Sequence, residues 1–469
     1  MLSQTGRSVA LSVNFPLAPR EFFAVTQKFS SFPRSLRLSK KNRKDLFHFR
    51  SLFPPAAGLG WLSLLLLLFS GPLHAQTSEG TPLTVAKTAR HSRDSAIDHP
   101  RVPQKDITDE LHFLFPHKKK SDSVQEIHKL TISFLPAVGY TLTTRAAVTG
   151  TGNGAFRIDP SSRISTVTTS ANYTENKQFS VPLETNIWTK GNKFNLVGDI
   201  HFMKYPQASF GLGSNSWIGN VDSMQYNYIR FYEIVYRRIT NDFYFGGGYI
   251  IDWRYDITSV NTKAPIPSDY QLYGPQTHST STGFTLNALY DTRDNSINPY
   301  SGFYAMATYR DNFKFMGSNS DWQSLILDVR KYYNFPAGSR NILALWSYDW
   351  LIVGGGKPPF LDLPSTNWDT YSSTGRGYIQ SRFRGDEMVD LESEYRFPLT
   401  ANGFLGAVVF LNGESFSGLY NRRLQSMQPG WGAGLRIKLN KSSRTNLDID
   451  YGFGEQGSNG LFVNIGELW

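Results

Sequence analysis

The run Asp291-Thr292-Arg293-Asp294-Asn295 sets acids and a base close together, which in an enzyme would be an acid/base cluster. On an extended strand, side chains alternate between two faces, so Asp291 and Arg293 project together as part of an ionic face, and the structural reading is favoured. The same alternation places Asp390, Glu392, Glu394 and Arg396 opposite Val389, Leu391, Tyr395, Phe397 and Leu399. It also places Asp448, Asp450, Gly452 and Gly454 opposite Leu447, Ile449, Tyr451 and Phe453. No HExxH, GxSxG or phosphate-loop pattern occurs, and no histidine pair has metal-ligand spacing. A chain of 469 residues with no cysteine has no thiol nucleophile, cysteine zinc site or iron–sulfur cluster. Gly150-Thr151-Gly152-Asn153-Gly154 reads as turn and close-packing glycine rather than a phosphate cradle. The expectation is therefore a protein that is not an enzyme and needs no cofactor and no metal.

The elements that carry these residues are strands. From Glu126 to Trp469, period-two alternation dominates and no helical stripe of useful length appears. Sixteen strands are expected, many of 10 to 16 residues, against about 5 to 6 in soluble proteins. Among them are 277–295, 382–399 and 460–469. Aromatic residues cluster near strand ends, as a girdle at a bilayer interface would. The fold class is all-β, a transmembrane antiparallel β-barrel of about 16 strands. Its longest connection, Gly356 to Ser381, lies between strands 11 and 12.

The net charge of +10 suggests nucleic acid until it is located. Met1–Gln76 hold ten Lys and Arg against two Asp and Glu, Thr77–Gln125 eight against seven, and Glu126–Trp469 30 against 29. The excess belongs to the leader, and no nucleic-acid partner is expected. Basic Lys40, Lys41, Arg43, Lys44 and Arg50 precede the apolar Leu62–Phe69, then Gly71, Pro72 and Ala75-Gln76, the order of a secretory signal peptide over 1–75. A membrane anchor and an organellar transit peptide are the alternatives. The leader is long, and no second methionine occurs before Met203, so a start at a non-Met codon nearer Lys40 is also expected. Residues 76–125, with Pro82, Pro100, Pro103 and Pro116, read as a flexible periplasmic segment, and 126–469 as the barrel.

Asp291, Arg293, Asp294 and Asn295 are followed by Pro299 and Gly302, then by Gly375-Arg376-Gly377-Tyr378 in the longest late loop, Glu394-Tyr395-Arg396-Phe397-Pro398 in the next strand, and a last strand ending in Trp469. Taken in that order, these motifs resemble the BamA/TamA family of outer-membrane assembly barrels, within the bacterial surface antigen superfamily. The resemblance implies a bacterial outer-membrane location and a loop folded into the lumen, with Arg376 reaching Glu394. The family usually has an aspartate where Asn412 stands, so the expectation is a weaker clamp or one that uses Glu392 or Asp390 instead. Leu461, Val463, Ile465 and Trp469 resemble the family's C-terminal assembly signal, interrupted by Glu467. Family members that assemble other barrels carry periplasmic POTRA modules of roughly 75 residues, and 77–125 has no room for one. The resemblance thus implies a barrel-only member in contact with outer-membrane lipid, with other outer-membrane or periplasmic proteins supplying client capture. A role in protein or lipid insertion or translocation, a passive or gated pore, and a structural surface antigen all remain open.

Overall fold

The structure, a computed structural model, describes residues 102–107, 109–110, 131–141 and 144–469, apart from 261, 262, 264, 370, 371, 420, 442 and 468. The leader expected over 1–75, and most of 76–125, lie outside the described residues. Among the described residues a single sheet contains eighteen strands, of which two are short pieces, Gln207–Ser209 and Asn421–Leu424. The sixteen others form the wall. These are β1 (Thr131–Thr141), β2 (Arg145–Phe156), β3 (Ser165–Thr174), β4 (Phe179–Trp188), β5 (Phe194–Lys204), β6 (Asp222–Arg238), β7 (Phe243–Val260) and β8 (His278–Asp291). They continue as β9 (Gly302–Asn312), β10 (Trp322–Asn334), β11 (Ile342–Gly355), β12 (Glu387–Pro398), β13 (Leu405–Gly418), β14 (Gln428–Asn440), β15 (Thr445–Gly454) and β16 (Asn459–Ile465).

Every consecutive pair is antiparallel. β1 and β16 lie side by side and nearly close the barrel, and among the described residues no ladder joins them. Connections at the end where β1 begins are short, and those at the other end include 205–221, 261–277 and the longest, 356–386, between β11 and β12. Among the described residues no helix is long and apolar enough to cross a membrane.

Register assigns the two faces. Exposed Leu183, Leu286, Val409, Leu411 and Leu435 point outward around the middle of the wall. Exposed Tyr173, Phe179, Phe202, Trp431 and Phe453 ring it toward the loop end, and Phe245, Tyr290 and Tyr333 toward the other end. An apolar band between two aromatic girdles is the surface a bilayer covers. The inner face is ionic and largely buried, carrying Asp252, Arg254, Arg310, Asp328, Arg330, Glu392, Glu394, Arg436, Asp448 and Asp450.

Four expectations change. The strand expected over 382–399 begins at Glu387, because Arg382, Phe383 and Arg384 are buried in the loop that precedes it. The strand expected over 277–295 stops at Asp291, where the backbone turns. Gly150, Gly152 and Gly154 are no turn; they sit mid-strand in β2. The last strand ends at Ile465 rather than Trp469: Gly466 takes φ +114, and the chain turns into the lumen.

Part of the segment expected to be flexible is docked. The Lys105 amide donates to the Asn402 carbonyl (3.1 Å), the Lys441 amide to Asp106 (3.1 Å), and Lys441 Nζ pairs with Asp109 (2.7 Å).

Candidate functional site

Loop 356–386 folds into the barrel, and Arg376 is its deepest charge. Its guanidinium lies 2.7 Å from Glu394, 3.0 Å from Asp450 and 3.3 Å from Glu392, over the Phe410 ring at 3.8 Å. All four charged side chains are at most 1% exposed. Burial alone would lower the guanidinium's proton affinity, but Glu394, Glu392 and Asp450 outweigh it and hold the pKa above its ordinary value. The planar fork suits this task, since it offers several donors in fixed directions to different carboxylates.

The backbone around Arg376 is bound as well. Gly375 N–H donates to Glu392 Oε1 (3.1 Å), and Asn412 Nδ2 donates to the Arg376 carbonyl (2.9 Å). Gly377 adopts φ +106, and a Cβ there would sit 2.6 Å from the Phe453 carbonyl, so only glycine lets the loop lie this close to β15. Tyr378 is 1% exposed; its hydroxyl donates to the Pro429 carbonyl (2.7 Å) and accepts from the Glu455 amide (2.9 Å).

Of the residues expected to receive the loop, Glu394 and Glu392 do so through charge and Asn412 through the backbone. Asp390 does not: it is buried opposite Glu414, one rung nearer the loop end, and neither of its oxygens has a hydrogen-bond partner. Asp450, on β15, supplies a third carboxylate to the Arg376 guanidinium.

Two further arginines complete the cluster. Arg396 binds Glu394 (2.5 Å) and Arg436 binds Glu467 (2.9 Å), Asp448 (3.2 Å) and Asp450. Glu467 and Trp469 enter here because of the turn at Gly466. The Trp469 indole donates to Glu392 Oε2 (3.1 Å), packs 5.3 Å from Trp346, and its main-chain oxygen accepts from Arg396 (2.8 Å). Trp469 therefore does not share the outer face of Leu461 and Val463, which stand opposite Tyr451 and Ile449. Ile465 is opposite Leu447 in register, and its side chain lies outside the described residues.

A second anchor holds the loop on the opposite wall. Asp362 pairs with Arg254 of β7 and accepts from Ser281 of β8 (2.6 Å), with both partners of the ion pair at most 4% exposed. Phe360 packs against Tyr270 (5.1 Å) and Tyr273 (5.5 Å), while Arg384 donates to the Phe360 carbonyl (3.0 Å). Burial, with few carboxylates nearby, pulls the Arg382 and Arg384 guanidinium groups down to about 10. The loop is thus a strap held at both walls.

The Asp291 motif builds the turn between β8 and β9. Arg293 forks onto Asp291 (2.9 and 3.1 Å) and lies over the Tyr304 ring at 4.3 Å. Asp294 accepts from the Tyr300 and Ser301 amides (2.9 and 3.2 Å) and pairs with Arg444 (2.6 Å). Asn295 accepts from the Ile297 and Asn298 amides (both 2.8 Å), Pro299 follows, and Gly302 takes φ +113. These contacts tie the turn to the β14–β15 turn. Among the described residues no group of three or more His, Asp or Glu is placed to hold a metal ion.

No protein-family model matches the chain, and no curated protein matches it. Among solved structures, the chain is similar to BamA from Haemophilus ducreyi lacking POTRA domains 1-3, at 13% identity and TM-score 0.49, covering 72% of this chain and 70% of that one. It is also similar to CdiB from Escherichia coli (9% identity, TM-score 0.48, 72% and 67% covered) and to CdiB from Acinetobacter baumannii (12%, 0.45, 73% and 66%).

Proposed function

We propose that this chain is an outer-membrane barrel that assists the insertion or translocation of proteins or lipids, within a complex whose other members capture the client. One observation carries the reading: Arg376, in the Gly-Arg-Gly-Tyr loop after the eleventh strand, is buried against Glu394 of the twelfth. That is the arrangement implied by the BamA/TamA resemblance of these same residues. The apolar band between aromatic girdles supports a bilayer location, and a sixteen-strand barrel suits the bacterial outer membrane. In this reading the buried ion pairs hold a loop rather than transform a substrate.

The test is depletion of the protein followed by quantitative outer-membrane proteomics and lipid analysis. Loss of a defined subset of barrels or lipids is expected; a composition indistinguishable from the undepleted strain would overturn the assembly role.

A further inference from the structure

The strap does not fill the lumen evenly. On β12 and β13, inner-face Met388, Asp390, Val408 and Glu414 are completely buried. On β3 and β4 the inner-face residues Thr166, Thr168, Ser170, Asn172, Ser180 and Asn186 are partly or fully exposed, and Thr174 and Trp188 at the strand ends are buried. Their side is fixed by register: Asn153, Thr168, Glu184 and Asp199 form one row across β2 to β5. That row continues to Tyr232, which bonds Asp252 on the inner face of β7, while the alternate Leu183 and Leu196 point outward. Among the described residues, the loop's hydrogen bonds and ion pairs run to β7, β8, β11–β15 and the neighbouring long loops and none to β2–β5; of β5 only Met203, near the loop end, joins the buried cluster of the strap's Phe360, Leu361 and Leu363. Two of the connections above this sector, 142–144 and 175–178, are short, while 205–221, which leaves β5, reaches Phe416 and Gln425 through Ser214 and Asn215.

We propose that the sector lined by β2–β5 is a water-filled conduit for small uncharged hydrophilic solutes, open while the strap stays pinned. Hydroxyls and amides make up much of its lining, beside Pro182, Glu184 and Trp188 on the same face of β4: Asn153 bonds Thr168 (2.7 Å), Asn172 bonds Ser170 and Ser180 (3.0 and 3.1 Å), and Asn195 bonds Asn186 (2.6 Å). Such groups exchange hydrogen bonds with hydrated solutes without holding them, which permeation requires. No row of single-sign charge selects an ion: Asp199 is paired with Arg230 (3.1 Å), and the exposed Glu184 lies 3.7 Å from the His201 ring. The inference rests on the barrel and its girdles and is independent of the assembly role.

The absence of cysteine makes the test direct. The full chain and its Thr168→Cys, Asn172→Cys and Val408→Cys variants are reconstituted in liposomes, and entry of a pentose and of a trisaccharide is followed by swelling. A membrane-impermeant cationic methanethiosulfonate then modifies accessible thiols. The pentose should enter several-fold faster than in protein-free liposomes and faster than the trisaccharide. Modification at 168 or 172 should slow it at least twofold, while 408, fully buried, stays unmodified. Pentose entry no faster than in protein-free liposomes, or entry unchanged after modification at both 168 and 172, would overturn the conduit. A normal outer-membrane composition on depletion with pentose entry intact would instead remove the assembly role and leave the conduit standing.

Discussion

Replacing Arg376 by Met keeps most of the side chain's volume over Phe410 and removes the charge. The three carboxylates are not equally affected. Glu394 retains Arg396 at 2.5 Å and Asp450 retains Arg436, but Glu392 retains only the Gly375 amide and the Trp469 indole. One buried carboxylate is therefore stranded, and breaking a buried pair by removing one partner costs about 3–5 kcal/mol. The two surviving guanidinium groups put the expected value at the lower end, about 3 kcal/mol, or roughly 100-fold in the equilibrium that releases the loop. Hydrogen exchange of the purified barrel reads that equilibrium. The amides of Tyr378, Ser381 and Thr366, bonded within the loop to Gly375, Thr366 and Phe383, should exchange about 100-fold faster by that estimate, with β3 and β4 unchanged. Adding Glu392→Gln to Arg376→Met removes the stranded charge and should restore most of the protection. Acceleration below about threefold, the range of an exposed loop arginine, would refute the reasoning. So would a double variant no better protected than the single one.

Gly377→Ala puts a methyl 2.6 Å from the Phe453 carbonyl at a positive φ, and should detach Tyr378, seen as increased iodination of that ring relative to Tyr348. Trp469→Phe keeps the ring against Trp346 but loses the donor to Glu392; a change of about 1 kcal/mol in loop protection is expected, well below that of Arg376→Met. Asp106→Ala removes the acceptor of the Lys441 amide and should speed proteolysis within residues 102–110 while the barrel's heat-modifiable mobility stays unchanged.

Alternation made the wall legible: Asp390, Glu392 and Glu394 turned inward as the period of two required, and all sixteen strands formed. Alternation gave Glu394 its inward face, whereas its pairing with Arg376 was implied only by the BamA/TamA resemblance of the motifs that carry the two residues. Asp450 was marked as inward-facing by its own alternation, but its contact with Arg376 depends on barrel curvature and loop depth, which local pattern does not carry. Asp362 and Arg254 stand in no motif and are 108 positions apart, so their pairing follows from closure alone. The end of β16 was misread because Leu461, Val463, Ile465 and Trp469 continue one apolar face on paper. Gly466 was the available signal, since glycine in a strand pattern marks a bend or break.

The claim at the centre is that a strap pinned at both walls, by Arg376 on one side and Asp362 on the other, keeps most of the lumen closed. Single-channel conductance in planar bilayers measures this for the unaltered chain, Arg376→Met, Asp362→Asn and the double variant. A small steady conductance is expected for the unaltered chain, a modest rise for each single variant, and a large, fluctuating conductance only when both anchors are gone. A double variant that conducts like the unaltered chain, or an unaltered chain already conducting as a fully open sixteen-strand pore, would contradict it.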